Sequence, residues 1–283
     1  RIADGEEAER RRVFEHGEPV EAGRTPAPVL YGESDGVWVH LQREKQKSTE
    51  VRVAIMSTGR KPVGKDRYRL ENKHCLTAIG LNSQQWQEHI LREAHLTYDL
   101  EHTHLLVCGG DGNRWVRHSF DRLQIKQEFI LDRFHLLRAA RRAIADSQVS
   151  KTVITRLRQE GLESVRSDLQ KQIQQATGNQ RKKLEDFYRY IHNNQDGLLD
   201  LQYRSDVVPA CLGAIEGNVD KLVVHRMKGR GCSWRLRGLR AMLALCRNSD
   251  ALKHHSYQYL PLSVPNKSVH RVQNLDVEYS EVL

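Results

Sequence analysis

At 283 residues with 39% hydrophobic side chains, the chain is long enough for one large domain with an insertion, or for two smaller ones, and it can bury a real core. Its 45 Lys and Arg against 36 Asp and Glu leave a formal charge of +9, which favours a polyanionic partner through phosphate neutralisation. Five cysteines with no C-x-x-C pair argue against a disulfide framework or a zinc ribbon, and neither a membrane span nor a signal-peptide core is visible, so a cytoplasmic protein is expected.

Residues 6–18 read as a charged helix already under way, and the first residue is Arg1, so a longer parent protein is expected. Pro26 and Pro28 mark a linker that closes the segment 1–28. Residues 29–41 (VLYGESDGVWVHL) and 50–58 (EVRVAIMST) alternate in bulk with period two, and 68–79 supplies a third strand, which predicts an antiparallel meander. Ser83 is placed to cap a helix reaching about Leu100, with Trp86, Ile90, Leu91 and Ala94 on one face. The continuous apolar run 103–108 (THLLVC), ended by Gly109, Gly110, Asp111 and Gly112, predicts a strand buried on both faces. A fifth strand over 128–131 leads into Asp132 and a helix over 134–145. From 147 to about 205 the chain is polar and helix-prone with a sparse stripe at Leu157, Leu162, Val165 and Leu169, which predicts an all-helical insertion. A late helix carries Glu216 and runs to about Met227, another covers 236–246, and the tail 249–283 shows little periodicity and is expected to be partly disordered.

Three acids stand at telling places: Asp35 on the first strand, Asp111 at the end of the fourth, and Glu216 on the late helix. Converging carboxylates suit Mg²⁺, a small hard cation that takes oxygen ligands and keeps several waters. Each acid also has a plainer reading. Asp35 before Gly36, and Asp111 between Gly110 and Gly112, both suit turns; Glu216 suits a solvated helix face, and Asp220, one turn on, competes with it.

The segments GESDGVWVHLQ, LLVCGGDGNRWV, FILDRFHLLRAARRA and GAIEGNVDKLVVHRMKGRGCSWRLRGLRAMLAL together resemble bacterial insertion-sequence transposases of the ISLre group, which belong with the Mutator-like DDE transposases. The resemblance covers roughly residues 29–248. It implies an α/β fold: an RNase H-like mixed five-stranded sheet flanked by helices, with a first part over 29–146, a helical insertion over 147–205 and the last helices over 206–248. It also implies Asp35, Asp111 and Glu216 as the catalytic and metal-binding triad, Mg²⁺ or Mn²⁺ as cofactor, as two ions, and a D-x-x-H element at Asp132 and His135. The implied activity is cleavage of DNA at insertion-element ends and transfer of the 3′-OH into target DNA, by a homodimer or higher oligomer on DNA in the bacterial nucleoid. The alternatives are an RNase H-like nuclease without strand transfer and an inactive, transposase-derived DNA-binding protein.

Between Glu216 and Arg247, eight basic residues face two acids. Of these, Lys221, Arg226, Lys228, Arg230 and Arg235 are expected to hold backbone phosphates. Trp234 reads equally as a platform for an unpaired base and as an anchor for the last helix.

Overall fold

The computed structural model describes residues 5, 8, 11–19, 22–65, 67–200, 203, 212–229 and 231–247; the expected tail 249–283, residues 206–211 and Arg230 lie outside them. Near the start of the chain, residues 11–14 are helical. The strands that follow are β1 (Val29–His40), β2 (Ser48–Ser57), β3 (Gly59–Gly64), β4 (Arg67–Glu71) and β5 (His74–Ile79). After helix α1 (Ser83–Thr97) come β6 (Leu105–Gly110), the short α2 (Arg114–Arg117) and β7 (Gln127–Leu131). Five of these strands form one mixed sheet in the order β5-β2-β1-β6-β7. Its first three members are antiparallel, whereas β6 lies parallel to both β1 and β7. Parallel neighbours need a crossover, and α1 provides one before β6. All six positions of β6 are buried, as its unbroken apolar run requires.

The expected third strand over 68–79 is in fact two. Asn72 adopts a φ of 46° between them, a left-handed conformation that interrupts an extended chain. The first half, β4, pairs only with β3 in a separate hairpin, and the second half, β5, joins the sheet. The cap of α1 also lies one residue earlier than expected. Asn82 accepts from the Gln85 backbone N–H at 2.8 Å, and the Gln85 side chain accepts from the Asn82 N–H at 3.1 Å, a reciprocal capping box.

Period-two alternation sorts the sheet into two cores. Leu30, Ala54, Met56, Leu76, Leu106 and Cys108 pack with Trp86, Ile90 and Ala94 of α1. On the opposite face, Val37, Val39, Val51, Val53 and Ile55 meet two late helices. One is α7 (Ile215–Val219), which continues through a π-helical turn (Asp220–Val224) into His225–Met227; the other is α8 (Leu236–Arg247). Between β7 and α7 stand α3 (Arg133–Ala143), α4 (Ser147–Glu160), α5 (Glu163–Gln175) and α6 (Gly178–Asn193). They share a core of Leu136, Leu157, Val165, Leu169, Leu184, Phe187 and Ile191.

Candidate active site

Two acids sit on the α7 side of β1. Glu33 and Asp35 alternate in step with Val37 and Val39, which pack against α7 and α8, so all four side chains leave the same face. Asp35 lies inside an unbroken twelve-residue strand, which removes the turn reading. Glu33 pairs with Gly109 of β6, and Asp111, two residues on, continues the same face just beyond the end of that parallel strand. Gly109 leaves room there for Leu212: a β-carbon on it would stand 3.0 Å from the Leu212 side chain, immediately before α7.

Asp111 is held from two directions. Its Oδ1 accepts from the Asn113 backbone N–H at 2.8 Å and its Oδ2 from the Asn113 amide, which leaves lone pairs on both oxygens. The phenol of Tyr190, near the end of α6, donates to the Asp111 carbonyl at 2.9 Å. Gly112 has a φ of +83°, and a β-carbon there would fall 2.7 Å from the side chain of Asn194. Arg117 in turn donates to Asn194 Oδ1 at 3.1 Å and grips Asp196 with both terminal nitrogens. The end of α6 and the turn after it therefore clasp the loop that carries Asp111.

Asp132 donates its backbone N–H to the Gly110 carbonyl at 2.8 Å and caps α3. Its Oδ1 accepts from the His135 backbone N–H at 2.9 Å and lies 3.0 Å from His135 Nδ1. Glu216, in the first turn of α7, completes the group: Asp132, His135 and Glu216 offer ligand atoms within 4.8 Å of one another. Asp220 points elsewhere, 3.9 Å from His225 on the exposed surface, so Glu216 is the acid of this helix that belongs to the cluster.

The side chain that sets the place of α7 is Glu33, 4% exposed. Its carboxylate accepts from the backbone N–H groups of Gly213 at 2.8 Å, Ala214 at 3.1 Å and Ile215 at 3.4 Å. These are donors that a helix start leaves without partners, and their positive end of the dipole favours an anion. Burial nevertheless raises the Glu33 carboxyl to about 7, with the three N–H groups opposing and the Asp132 charge assisting. Burial likewise raises Asp35 to about 6; the Gly36 N–H at 2.7 Å and His135 oppose, while Asp111 and Glu216 add like-charge repulsion. For Asp132 burial pushes upward too, but the hydrogen bonds of His135 prevail and hold it below the ordinary carboxylate value. The same pairing with Asp132 raises His135 against its desolvation, helped by Asp111 and Asp35. Asp35, Asp111, Asp132, His135 and Glu216 thus form one electrostatic unit with an imidazole disposed to carry a proton.

The basic run is more divided. Lys221, Lys228 and Arg235 are exposed. Arg226 reaches Cys246 Sγ at 3.3 Å. Trp234 is half-buried against the α7 and α8 core; its indole N–H donates to the Met227 carbonyl at 3.1 Å, and its backbone N–H donates to His40 O at 3.0 Å. These contacts describe an anchor.

A family model for an uncharacterised protein family, UPF0236, matches residues 9–253. The chain belongs to the UPF0236 family. Among curated UPF0236 proteins of Caldanaerobacter subterraneus subsp. tengcongensis, one is 26% identical over 219 residues, covering 77% of this chain and 45% of the relative. A second is 25% identical over 229 residues, covering 80% of this chain and 44% of the relative. The chain therefore spans less than half the length of these UPF0236 relatives. Among solved structures, a chain of the Drosophila P element transposase strand transfer complex is similar at a TM-score of 0.22 and 11% identity, over 84% of this chain and 66% of that one.

Within this UPF0236 chain, Glu33 and Tyr190 were missed by sequence reasoning. A signal for Glu33 existed: an acid at an inward position of a strand whose other inward residues are apolar. Tyr190 offered none, because its partner lies 79 residues away.

Proposed function

We propose that this chain carries the catalytic core of a DDE-type DNA transposase, in which Asp35, Asp111 and Glu216 hold divalent metal ions, Mg²⁺ or Mn²⁺ and two in number. The reaction is cleavage of one DNA strand at the ends of an insertion element, followed by transfer of the freed 3′-OH into target DNA. One observation carries the reading: acids from β1, from the end of β6 and from α7 gather on one face of a mixed sheet, and the Asp35 carboxyl feels both Asp111 and Glu216 as like charges. The sheet supports it too, because three antiparallel strands followed by two parallel ones, with the first and fourth of the five side by side, is an RNase H-like arrangement.

The donor set fits the proposed ions. Carboxylate oxygens are the ligands that Mg²⁺ and Mn²⁺ prefer, and a divalent charge offsets both the burial that chiefly raises Asp35 and the like-charge repulsion that adds to it. Bound there, paired ions supply Lewis-acid stabilisation for the attacking and leaving oxygens of a phosphodiester. The chain's own residues do the rest. Glu33 fixes the start of α7, Asn113 and Tyr190 fix Asp111, and Asp132 orients His135 so that its ring can face the scissile phosphate. Exposed Lys221, Lys228 and Arg235 neutralise backbone charge. In this reading the active species on DNA is a dimer or higher oligomer. No helix among the described residues is long and apolar enough to cross a membrane.

The test incubates the chain with supercoiled plasmid and an oligonucleotide ending in a free 3′-OH, with Mg²⁺ or Mn²⁺. Nicked and oligonucleotide-joined plasmid is expected, and Asp35→Asn, Asp111→Asn and Glu216→Gln each abolish both products. Nicking that survives all three substitutions overturns the assignment of the site, and nicking without joining reduces the activity to that of a nuclease.

A further inference from the structure

Outside the acidic cluster, the feature with most unexplained chemistry is the hairpin of β3 and β4. From Gly59 to Glu71 the sequence GRKPVGKDRYRLE carries five cations, Arg60, Lys61, Lys65, Arg67 and Arg69, against Asp66 and Glu71. All five are exposed, and none joins an ion pair with an acid among the described residues. Core formation does not account for the arm, since only Leu70 reaches the hydrophobic cluster beneath α7 and α8, while Val63 and Tyr68 stand 56% and 59% exposed.

The register sharpens this. Lys61 lies directly opposite Arg69, and Arg67, two residues along the same strand, leaves the same face. Like charges placed opposite one another weaken a strand pair; an anionic backbone laid across that face turns the same arrangement into attraction. The other face carries Arg60, whose guanidinium lies 4.6 Å over the exposed ring of Tyr68. Addition of a partner strand is disfavoured, because Pro62 lacks an N–H and the register shifts between Pro62 and Gly64. At its base the arm is tied to the helix of Glu216: Lys73 Nζ donates to Asn218 Oδ1 at 3.1 Å.

We propose that this hairpin is an arm that grips the backbone phosphates of duplex DNA alongside α7, without reading bases. The proposal rests on the reading of DNA as the substrate. Its test is fluorescence anisotropy with a labelled duplex of arbitrary sequence over a salt series. Lys61→Gln/Arg67→Gln/Arg69→Gln is expected to weaken binding about tenfold or more and to lower the slope of log K against log salt by about 3. Lys171→Gln/Lys182→Gln/Lys183→Gln, which removes equal charge from exposed positions on α5 and α6, is expected to move that slope by less than about 1. Equal effects of the two triple variants, no effect of the first, or competition by polyglutamate as strong as by unlabelled duplex each overturn the arm. A divalent-ion rise in Tm that Asp111→Asn removes is measured in parallel. If that rise is absent while the hairpin dependence holds, the metal reading fails and the arm stands; the reverse pattern sinks the arm alone.

Discussion

The Glu33 carboxylate, in the middle of β1, accepts the backbone N–H of Gly213 at 2.8 Å across 180 residues of sequence. With its bonds to Ala214 and Ile215, it makes one side chain of the central strand the cap of the helix that carries Glu216. Removing that acceptor leaves the donors of a part-buried helix start without a protein partner, Ile215 the most enclosed of them, a cost of about 1–3 kcal/mol. Glu33→Ala is therefore expected to lower the urea midpoint accordingly and to weaken divalent-ion binding. Glu33→Gln, which keeps one acceptor oxygen, is expected to fall between. A stability equal to that of the parent chain in Glu33→Ala would show that solvent or other groups cap α7 instead.

Asp35 makes the stability of the metal-free chain depend on pH. Burial and its acidic neighbours raise it to about 6 from 3.8, so its contribution is whole below the ordinary value and is lost as pH rises through about 6. Glu33, raised to about 7, has the same sign, as does His135, raised by Asp132. Asp132 is lowered and acts oppositely, but its contribution disappears only in stronger acid. In chelator, Tm is expected to decline between about pH 4 and 7, and Asp35→Asn is expected to raise Tm at the upper end by about 2–6 °C while flattening the decline. Saturating Mg²⁺ should flatten it too. An Asp35→Asn profile parallel to that of the parent chain would remove Asp35 as its source.

Tyr190→Phe deletes a single donor, the one on the Asp111 carbonyl. The expected loss of stability is about 1 kcal/mol, with a weaker response of Tm to Mg²⁺ than in the parent chain. Isothermal titration with Mn²⁺ measures the second effect directly, and an unchanged Mn²⁺ affinity counts against a positioning role.

Gly112→Ala meets two obstacles at once, a φ of +83° and an Asn194 side chain 2.7 Å from the new methyl. Strain of about 1–3 kcal/mol attends the backbone alone. Thermal unfolding is expected several degrees lower, and a neutral result would mean that the loop relaxes away from Asn194.

Much of this arrangement was legible locally. Alternation in VLYGESDGVWVHL announced β1, and the apolar run before Asp111 announced the buried strand. Parity along those strands puts Asp35 and Asp111 on a shared face once their register is known. Register, however, is a property of two strands, and nothing within either one supplies it. Glu33 went unread because a buried carboxylate has no local signature apart from its inward position. β4 and β5 read as one strand because Arg67 to Glu71 and His74 to Ile79 both carry strand-forming residues, and a left-handed Asn72 is one of several conformations open to that residue.

The clasp between the end of α6 and the loop after β6 bears on how this architecture can change over time. A block of helices that merely decorated the sheet could be exchanged among relatives like a cassette. Here Tyr190, Asn194 and Asp196 meet Asp111, Gly112 and Arg117 in one tight joint, so drift on either side demands a matching change on the other. A chimera that joins the helical block of one relative to the sheet of another is expected to fold in both halves yet leave Asp111 adrift.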